Sequence, residues 1–153
     1  MEHLSWQRLA IIAGITLAIA WVITRMALGD GYTPALIPWT LPAICVVGAV
    51  LALVFAWPVR QYQQGKRPGL DGLRAARAAV FAQASAYAGV LLAGGLLGYA
   101  AGLAEYWSHE PRREVAISAL IAALGALALM AAGLLAEHWC RTKPPEDPKP
   151  SPS

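Results

Sequence analysis

Long stretches without a charged residue alternate with short polar segments along this chain. Three of them, 39–57, 78–104 and 115–136, contain no Asp, Glu, Lys or Arg. About 20 apolar residues in a helix cross the roughly 30 Å of hydrocarbon in a bilayer, so each stretch can span it. A fourth stretch, 9–28, reaches that length because Arg25 can extend its side chain to the headgroups. The pattern therefore predicts four transmembrane helices.

The four stretches are typical of helices and not of membrane barrel strands. They are rich in Ala, Leu and Gly and show no two-residue alternation. We therefore expect an all-α, polytopic membrane protein in which residues 1–142 form a four-transmembrane-helix bundle. Residues 143–153 hold five prolines among polar residues and are predicted to be a disordered cytoplasmic tail.

The first stretch also fits a cleaved signal peptide, because Arg8 precedes it and Ala27-Leu28-Gly29 resembles a cleavage site. Cleavage would remove one helix. The apolar stretch is long for a signal peptide and Arg25 lies just before the cleavage site, so we favour a retained helix.

Composition and charge place the chain in a membrane and give it an orientation. Hydrophobic residues make up 58% of the chain and charged residues 14%, against about 25% charged in soluble domains. Lys and Arg are retained on the cytoplasmic side of a membrane. With four spans and cytoplasmic termini, nine basic residues lie inside and three outside. The inner group is Arg8, Arg60, Lys66, Arg67, Arg74, Arg77, Arg141, Lys143 and Lys149, and the outer group is Arg25, Arg112 and Arg113. We therefore expect a multi-pass protein of the plasma membrane.

Three glycines form a smooth face on the third helix. Gly94, Gly98 and Gly102 recur every four residues, which places them on nearly one side and lets another backbone approach closely. We call these three residues the glycine face. We favour helix packing inside the chain's own bundle, and a homodimer or a foreign partner is the alternative.

Few side chains in the predicted spans can carry a charge or coordinate an ion. An ion-coupled transporter needs an ionisable or coordinating side chain there, but the predicted spans hold no acid and no histidine, and Gln83 is their only large amide. We favour an interhelical hydrogen bond for this intramembrane polar residue over a role in transport.

No arrangement typical of catalysis stands out. The chain lacks a nucleophile with a nearby base or a pair of carboxylates at a useful spacing. Glu105 and His109 are four residues apart and can share a helical face, with Glu110 and Glu114 nearby, so an outer metal site is one interpretation. A solvated loop explains the same residues without further assumptions, and we favour it. The two cysteines are not in CxxC spacing. We therefore predict a protein that is not an enzyme, with no catalytic residue, metal or cofactor.

Two arginines mark the start of the third helix. Asp71 is predicted to cap a helix that begins at Gly72, which places Arg74 and Arg77 on one side at headgroup level. Contact with anionic lipid headgroups is the simpler interpretation, and docking of an acidic protein partner is the alternative. Nucleic acid is not expected, because a membrane already explains the basic residues.

Four short motifs, each present once, follow one another along the chain and resemble those of a known family. They are Pro38-Trp39-Thr40-Leu41-Pro42, Ala56-Trp57-Pro58-Val59-Arg60, Leu73-Arg74-Ala75-Ala76-Arg77 and Glu137-His138-Trp139-Cys140-Arg141. Together they resemble an actinobacterial family of small four-helix integral membrane proteins classed as a domain of unknown function. Its members are often encoded beside folate-biosynthesis genes, and the resemblance implies neither folate chemistry nor catalytic residues. That family frequently has a Lys where this sequence has Gln83.

These observations favour a non-enzymatic accessory or scaffold subunit of a plasma-membrane assembly. Its expected partners are anionic lipids and a membrane protein or a second copy of the chain. The alternative is a small transporter or channel that acts as an oligomer, with a polar path lined by Gln83, Ser85 and Tyr87.

The orientation can be tested with a reporter enzyme fused after Ser153. Because basic residues are concentrated on the side of both termini, we expect activity only from a reporter that works in the cytoplasm. A reporter that is active only on the far side of the membrane would overturn this topology.

Overall fold

A computed structural model describes residues 6–65, 69 and 71–140, and within these ranges the chain forms four helices. They are α1 (Trp6–Gly29), α2 (Thr40–Gln63), α3 (Gly72–Ala104) and α4 (Glu110–Cys140). No strand occurs within the described ranges. All four helices are long and apolar enough to cross a membrane. The predicted all-α class and the number of helices are confirmed, whereas the predicted tail at 143–153 lies outside the described residues.

The helices extend beyond the apolar spans predicted from the sequence. α2 runs through Pro58 to Gln63 instead of ending at Trp57. Proline removes one backbone donor, and transmembrane helices tolerate that loss when their surroundings satisfy the freed carbonyl. α3 has 33 residues, which at about 1.5 Å per residue is about 50 Å and exceeds the hydrocarbon thickness.

The start of α3 differs in one detail from the prediction. Asp71 is at the N-cap position with an extended backbone, but its carboxylate makes no capping hydrogen bond. Its carbonyl oxygen instead accepts the backbone N–H groups of Arg74 and Ala75. The helix therefore begins at Gly72 as expected, without the side-chain cap.

α3 is the central element of the bundle. It packs against α1, α2 and α4, and α2 packs more extensively on α4 than on α3. Among the described residues no Cα of α1 lies within 8 Å of α2 or α4. The two helices that are consecutive in the chain, α1 and α2, are therefore held apart, and α3 and α4 lie between them.

α3 and α4 approach each other through glycine. A Cβ on Gly89 would lie 2.5 Å from the Met130 nitrogen, and a Cβ on Gly133 would lie 2.6 Å from the Ala86 nitrogen. Real side-chain carbons do not approach backbone atoms so closely, so both positions require glycine. Nearer the ends of α2 and α4, the alanines Ala56, Ala82 and Ala136 are fully buried where α2, α3 and α4 meet.

The glycine face lies against α1 of the same chain. A Cβ on Gly94 would meet the Thr16 hydroxyl, one on Gly98 would meet the Leu17 carbonyl, and one on Gly102 would lie 2.7 Å from the Thr24 methyl group. The hydroxyls of Thr16 and Thr24 donate to carbonyls of α1 itself, at 2.6 and 2.7 Å. Their polar atoms are thus satisfied within α1 while the helix surface remains close to α3.

Alanine substitution separates contact positions from open ones on the same helix. Gly98→Ala should lower the free energy of unfolding by about 1–3 kcal/mol, because the new methyl group forces α1 away from α3. Gly95→Ala is the matched control, since a Cβ at Gly95 meets no atom within 4 Å. Thermal unfolding in mild detergent measures both variants. Equal stability of the two would contradict the close contact at Gly98.

Candidate functional site

The described basic residues divide between the two ends of the bundle. Because the helices alternate in direction, the N-termini of α1 and α3 and the C-termini of α2 and α4 share one end, which we call the basic end. Arg8, Arg60, Arg74 and Arg77 lie there, whereas Arg25, Arg112 and Arg113 lie at the opposite end. Lys66, Arg67 and Arg141 fall outside the described residues.

Two of the three arginines at the opposite end contact other side chains of the protein. Arg25 forms a salt bridge with Glu105 and its guanidinium lies 5.3 Å from the centre of the Trp21 ring. Arg112 lies over Tyr106 at 4.3 Å. The ion pair links the end of α1 to the end of α3, although half-exposed pairs of this kind contribute only about 0–1 kcal/mol.

At the basic end, Arg60 joins α2 to α4. Its guanidinium lies 5.8 Å from the centre of the Trp57 ring and 4.6 Å from the centre of the Trp139 ring. The two indoles contact each other edge to face at 6.2 Å. Arginine is attracted electrostatically to the face of each indole, so this cluster is a structural clasp between the two helix ends.

Arg74 and Arg77 have a different environment. They line a groove of about 530 Å³ between α2 and α3, together with Phe55, Pro58, Val59, Ala78 and Phe81. Phe55 and Phe81 contact each other edge to face with ring centres 5.6 Å apart, and Val59 and Ala78 are buried. The groove therefore has an apolar floor and two exposed guanidinium groups at its mouth.

Neither guanidinium has a partner in the part of the chain that the structure describes. The side chains of Arg74 and Arg77 form no salt bridge, hydrogen bond or ring contact with those residues. Arg25, Arg60 and Arg112 all have such contacts. The pair predicted as a lipid or partner contact is thus placed on one groove, with its hydrogen-bond donors exposed.

The polar residues predicted along α3 do not converge. Gln83 is partly buried, and its amide forms no hydrogen bond with any described residue, so the expected interhelical bond is not seen. Ser85 is buried and donates to the Phe81 carbonyl at 2.9 Å, whereas Tyr87 packs near Leu9 of α1. One chain therefore does not bring the three side chains to a common path.

A hydrogen bond that no sequence pattern predicts holds the connection between α1 and α2 against α3. The Tyr99 hydroxyl of α3 donates to the Ala35 carbonyl at 2.9 Å, so this connection lies over α3. An apolar groove of about 620 Å³ lies beneath it, between α1 and α2. No spacing in the sequence signals a hydrogen bond between residues 64 positions apart.

The described residues that could bind a metal ion do not form a metal site. Glu105 pairs with Arg25, and the described residues contain no group of three or more His, Cys, Asp or Glu side chains close enough to hold a metal ion. Cys45 and Cys140 are both free, and Cys45 is buried.

Comparison with known proteins places the chain in a family. The family model described as "Protein of unknown function (DUF3180)" matches residues 9–144, which is nearly the whole chain. The chain belongs to this family. Neither a search of curated proteins nor a search of solved structures found a match. The family description carries no activity, so the chemistry of this DUF3180 member must be argued from its own residues.

The groove at the basic end is suited to binding an anion with an apolar extension. Guanidinium groups bind carboxylate and phosphate oxygens through paired hydrogen bonds. The floor formed with Phe55 and Phe81 offers apolar surface next to them. In this DUF3180 protein the two charged groups of the groove are hydrogen-bond donors without a base or nucleophile beside them among the described lining residues.

The structural role of Arg60 can be separated from general charge effects. Arg60→Gln should lower the free energy of unfolding by about 1–2 kcal/mol, because two ring contacts of about 0.5–1 kcal/mol each are lost. Chemical denaturation in detergent, followed by tryptophan fluorescence, measures the change. Arg113→Gln removes the same charge at the opposite end, where no ring contact is lost, and should leave stability unchanged. A similar loss in both variants would argue against the clasp.

Proposed function

We propose that this protein is a non-enzymatic accessory or scaffold subunit of a plasma-membrane assembly. The observation that carries the proposal is the pair Arg74 and Arg77, whose side chains have no partner among the described residues and line an exposed groove at the basic end. Paired donors without a neighbouring reactive group suit contact with another molecule better than they suit bond chemistry. Both termini and the basic end face the cytoplasm in this proposal, which the concentration of basic residues supports. The resemblance of its motifs and its nine Arg against three Lys support an actinobacterial source.

The packing of α1 supports an assembly that forms without rearranging the bundle. α1 contacts the glycine face, so these glycines are occupied within the chain. A partner would therefore meet the outer surfaces of the helices, where large apolar side chains such as Ile15, Ile44 and Val54 are exposed. Apolar and small side chains there can pack against another transmembrane helix through van der Waals contact.

A small transporter or channel acting as an oligomer is the second candidate, and Gln83 is the observation that favours it. The Gln83 amide has no hydrogen-bond partner among the described residues, and an amide at membrane depth is stabilised when a solute or a second chain supplies one. The covered glycine face counts against a dimer centred there, because α1 would have to move away first.

Purification from native membranes in mild detergent distinguishes the two candidates. We expect an accessory subunit to co-purify with one partner protein in constant ratio, and tagging the partner should recover this chain. Arg74→Gln with Arg77→Gln should reduce recovery, because the groove then loses the charges that hold an anionic molecule at this surface. Arg112→Gln with Arg113→Gln removes equal charge at the opposite end and should not. Reproducible recovery of the chain alone, with solute flux after reconstitution in liposomes, would overturn the proposal in favour of a transporter.

A further inference from the structure

The groove between α2 and α3 joins a charged mouth to an apolar floor along the direction of the helices. Arg74 and Arg77 form the mouth, and Phe55 and Phe81 contribute rings to the floor. Phe81 follows Arg74 by seven residues, which is about 10 Å along a helix axis. The groove therefore runs from the headgroup level at the start of α3 into the apolar part of the bundle.

The positions of the two arginines direct both side chains to the headgroup layer. Residues three apart share one side of a helix, and helical side chains tilt toward the N-terminus. Because Arg74 and Arg77 lie in the first two turns of α3, this tilt carries their guanidinium groups outward, away from the floor. The long apolar stems can lie along the groove while the charged ends remain hydrated.

We infer that this groove is a binding site for one anionic phospholipid, whose phosphate contacts Arg74 and Arg77 and whose acyl chain lies against Phe55 and Phe81. The volume of about 530 Å³ is within the range of about 300–1,000 Å³ found for ligand sites. The inference names the partner chemistry of the arginine pair and rests on the proposed membrane location of the protein.

Local charge favours this occupant. Asp71 and Glu137 are the described acids at the basic end, and neither forms a salt bridge with Arg74 or Arg77. The four described arginines at this end outnumber them, so the mouth of the groove keeps a positive charge.

The apolar floor favours a lipid over an acidic protein segment. A water-soluble acidic segment can reach the guanidinium groups at the mouth, but it would leave the surface of Phe55 and Phe81 uncovered. A phospholipid can contact the charged mouth and the apolar floor together. Its phosphate and its acyl chains are arranged end to end, as the arginines and the phenylalanines are in the groove. The exposed apolar surface of the groove comes mainly from Phe55 and Phe81, which are 53% and 38% exposed, and the buried Val59 and Ala78 line the groove beside them.

Native mass spectrometry of the purified full-length protein, titrated with phosphatidylglycerol or phosphatidylcholine, tests the site. We expect one phosphatidylglycerol per chain at concentrations at which phosphatidylcholine does not bind. Arg74→Gln with Arg77→Gln should weaken this binding about thirtyfold, since each basic side chain near an anionic headgroup contributes about a factor of five. Arg112→Gln with Arg113→Gln is the charge-matched control and should retain it.

A second variant tests the floor separately from the charges. Phe81→Ala keeps both arginines and should weaken binding of long-chain phosphatidylglycerol severalfold, with binding of soluble glycerol phosphate unchanged. Circular dichroism confirms that each variant keeps its helices. Equal binding of the two phospholipids, or equal weakening by both double variants, would overturn the site. Displacement of the lipid by polyglutamate together with no effect of Phe81→Ala would assign the arginines to an acidic segment instead. The assay contains no partner protein, so its result is independent of the co-purification experiment.

Discussion

The close approach of α3 to α1 and α4 is the constraint on which the rest of the bundle depends. Lipid provides no hydrophobic driving force between helices, so they associate through van der Waals contact between smooth surfaces. Gly89 and Gly133 bring α3 and α4 together, and Gly94, Gly98 and Gly102 bring α3 to α1. A methyl group at any of these positions would collide with a neighbouring helix. α1 packs on α3 and lies apart from α2, and the apolar groove beneath the connection between α1 and α2 occupies the space between them.

The arginines divide into those that hold the fold and those that remain available. Arg25 and Arg60 each connect two helices near an end of the bundle, through a salt bridge in one case and indole rings in the other. Charged side chains near the helix ends can thus fix which helices pack together, where the apolar surfaces of the helices are similar. Arg74 and Arg77 have no side-chain partner among the described residues, and because they line one groove, their hydrogen-bond donors lie close together.

That arrangement shapes the functional proposal for this DUF3180 protein. Ser85, Thr16 and Thr24 donate to carbonyls of their own helices, so their hydroxyls are not directed at a shared interior path. Gln83 is the exception, and its amide keeps a transport role in view as the alternative. Recognition at the basic end and solute passage along α3 would use different surfaces, which is why the two candidates can be separated experimentally.

The sequence by itself determined the number of helices, their approximate limits and the position of each charged residue relative to the apolar spans. Helix formation in lipid requires only local backbone hydrogen bonds, and local composition therefore predicts it. The sequence also predicted that Arg74 and Arg77 lie on one side of a helix, because that depends only on their spacing of three residues. Only the tertiary structure decided that the glycine face contacts α1 and that the Tyr99 hydroxyl donates a hydrogen bond to the Ala35 carbonyl. It also decided that the arginine pair and Phe55 line the same groove. Each of these contacts joins residues distant in the chain, and apolar helices with similar surfaces can pack in several orders until a few side-chain-free positions select one.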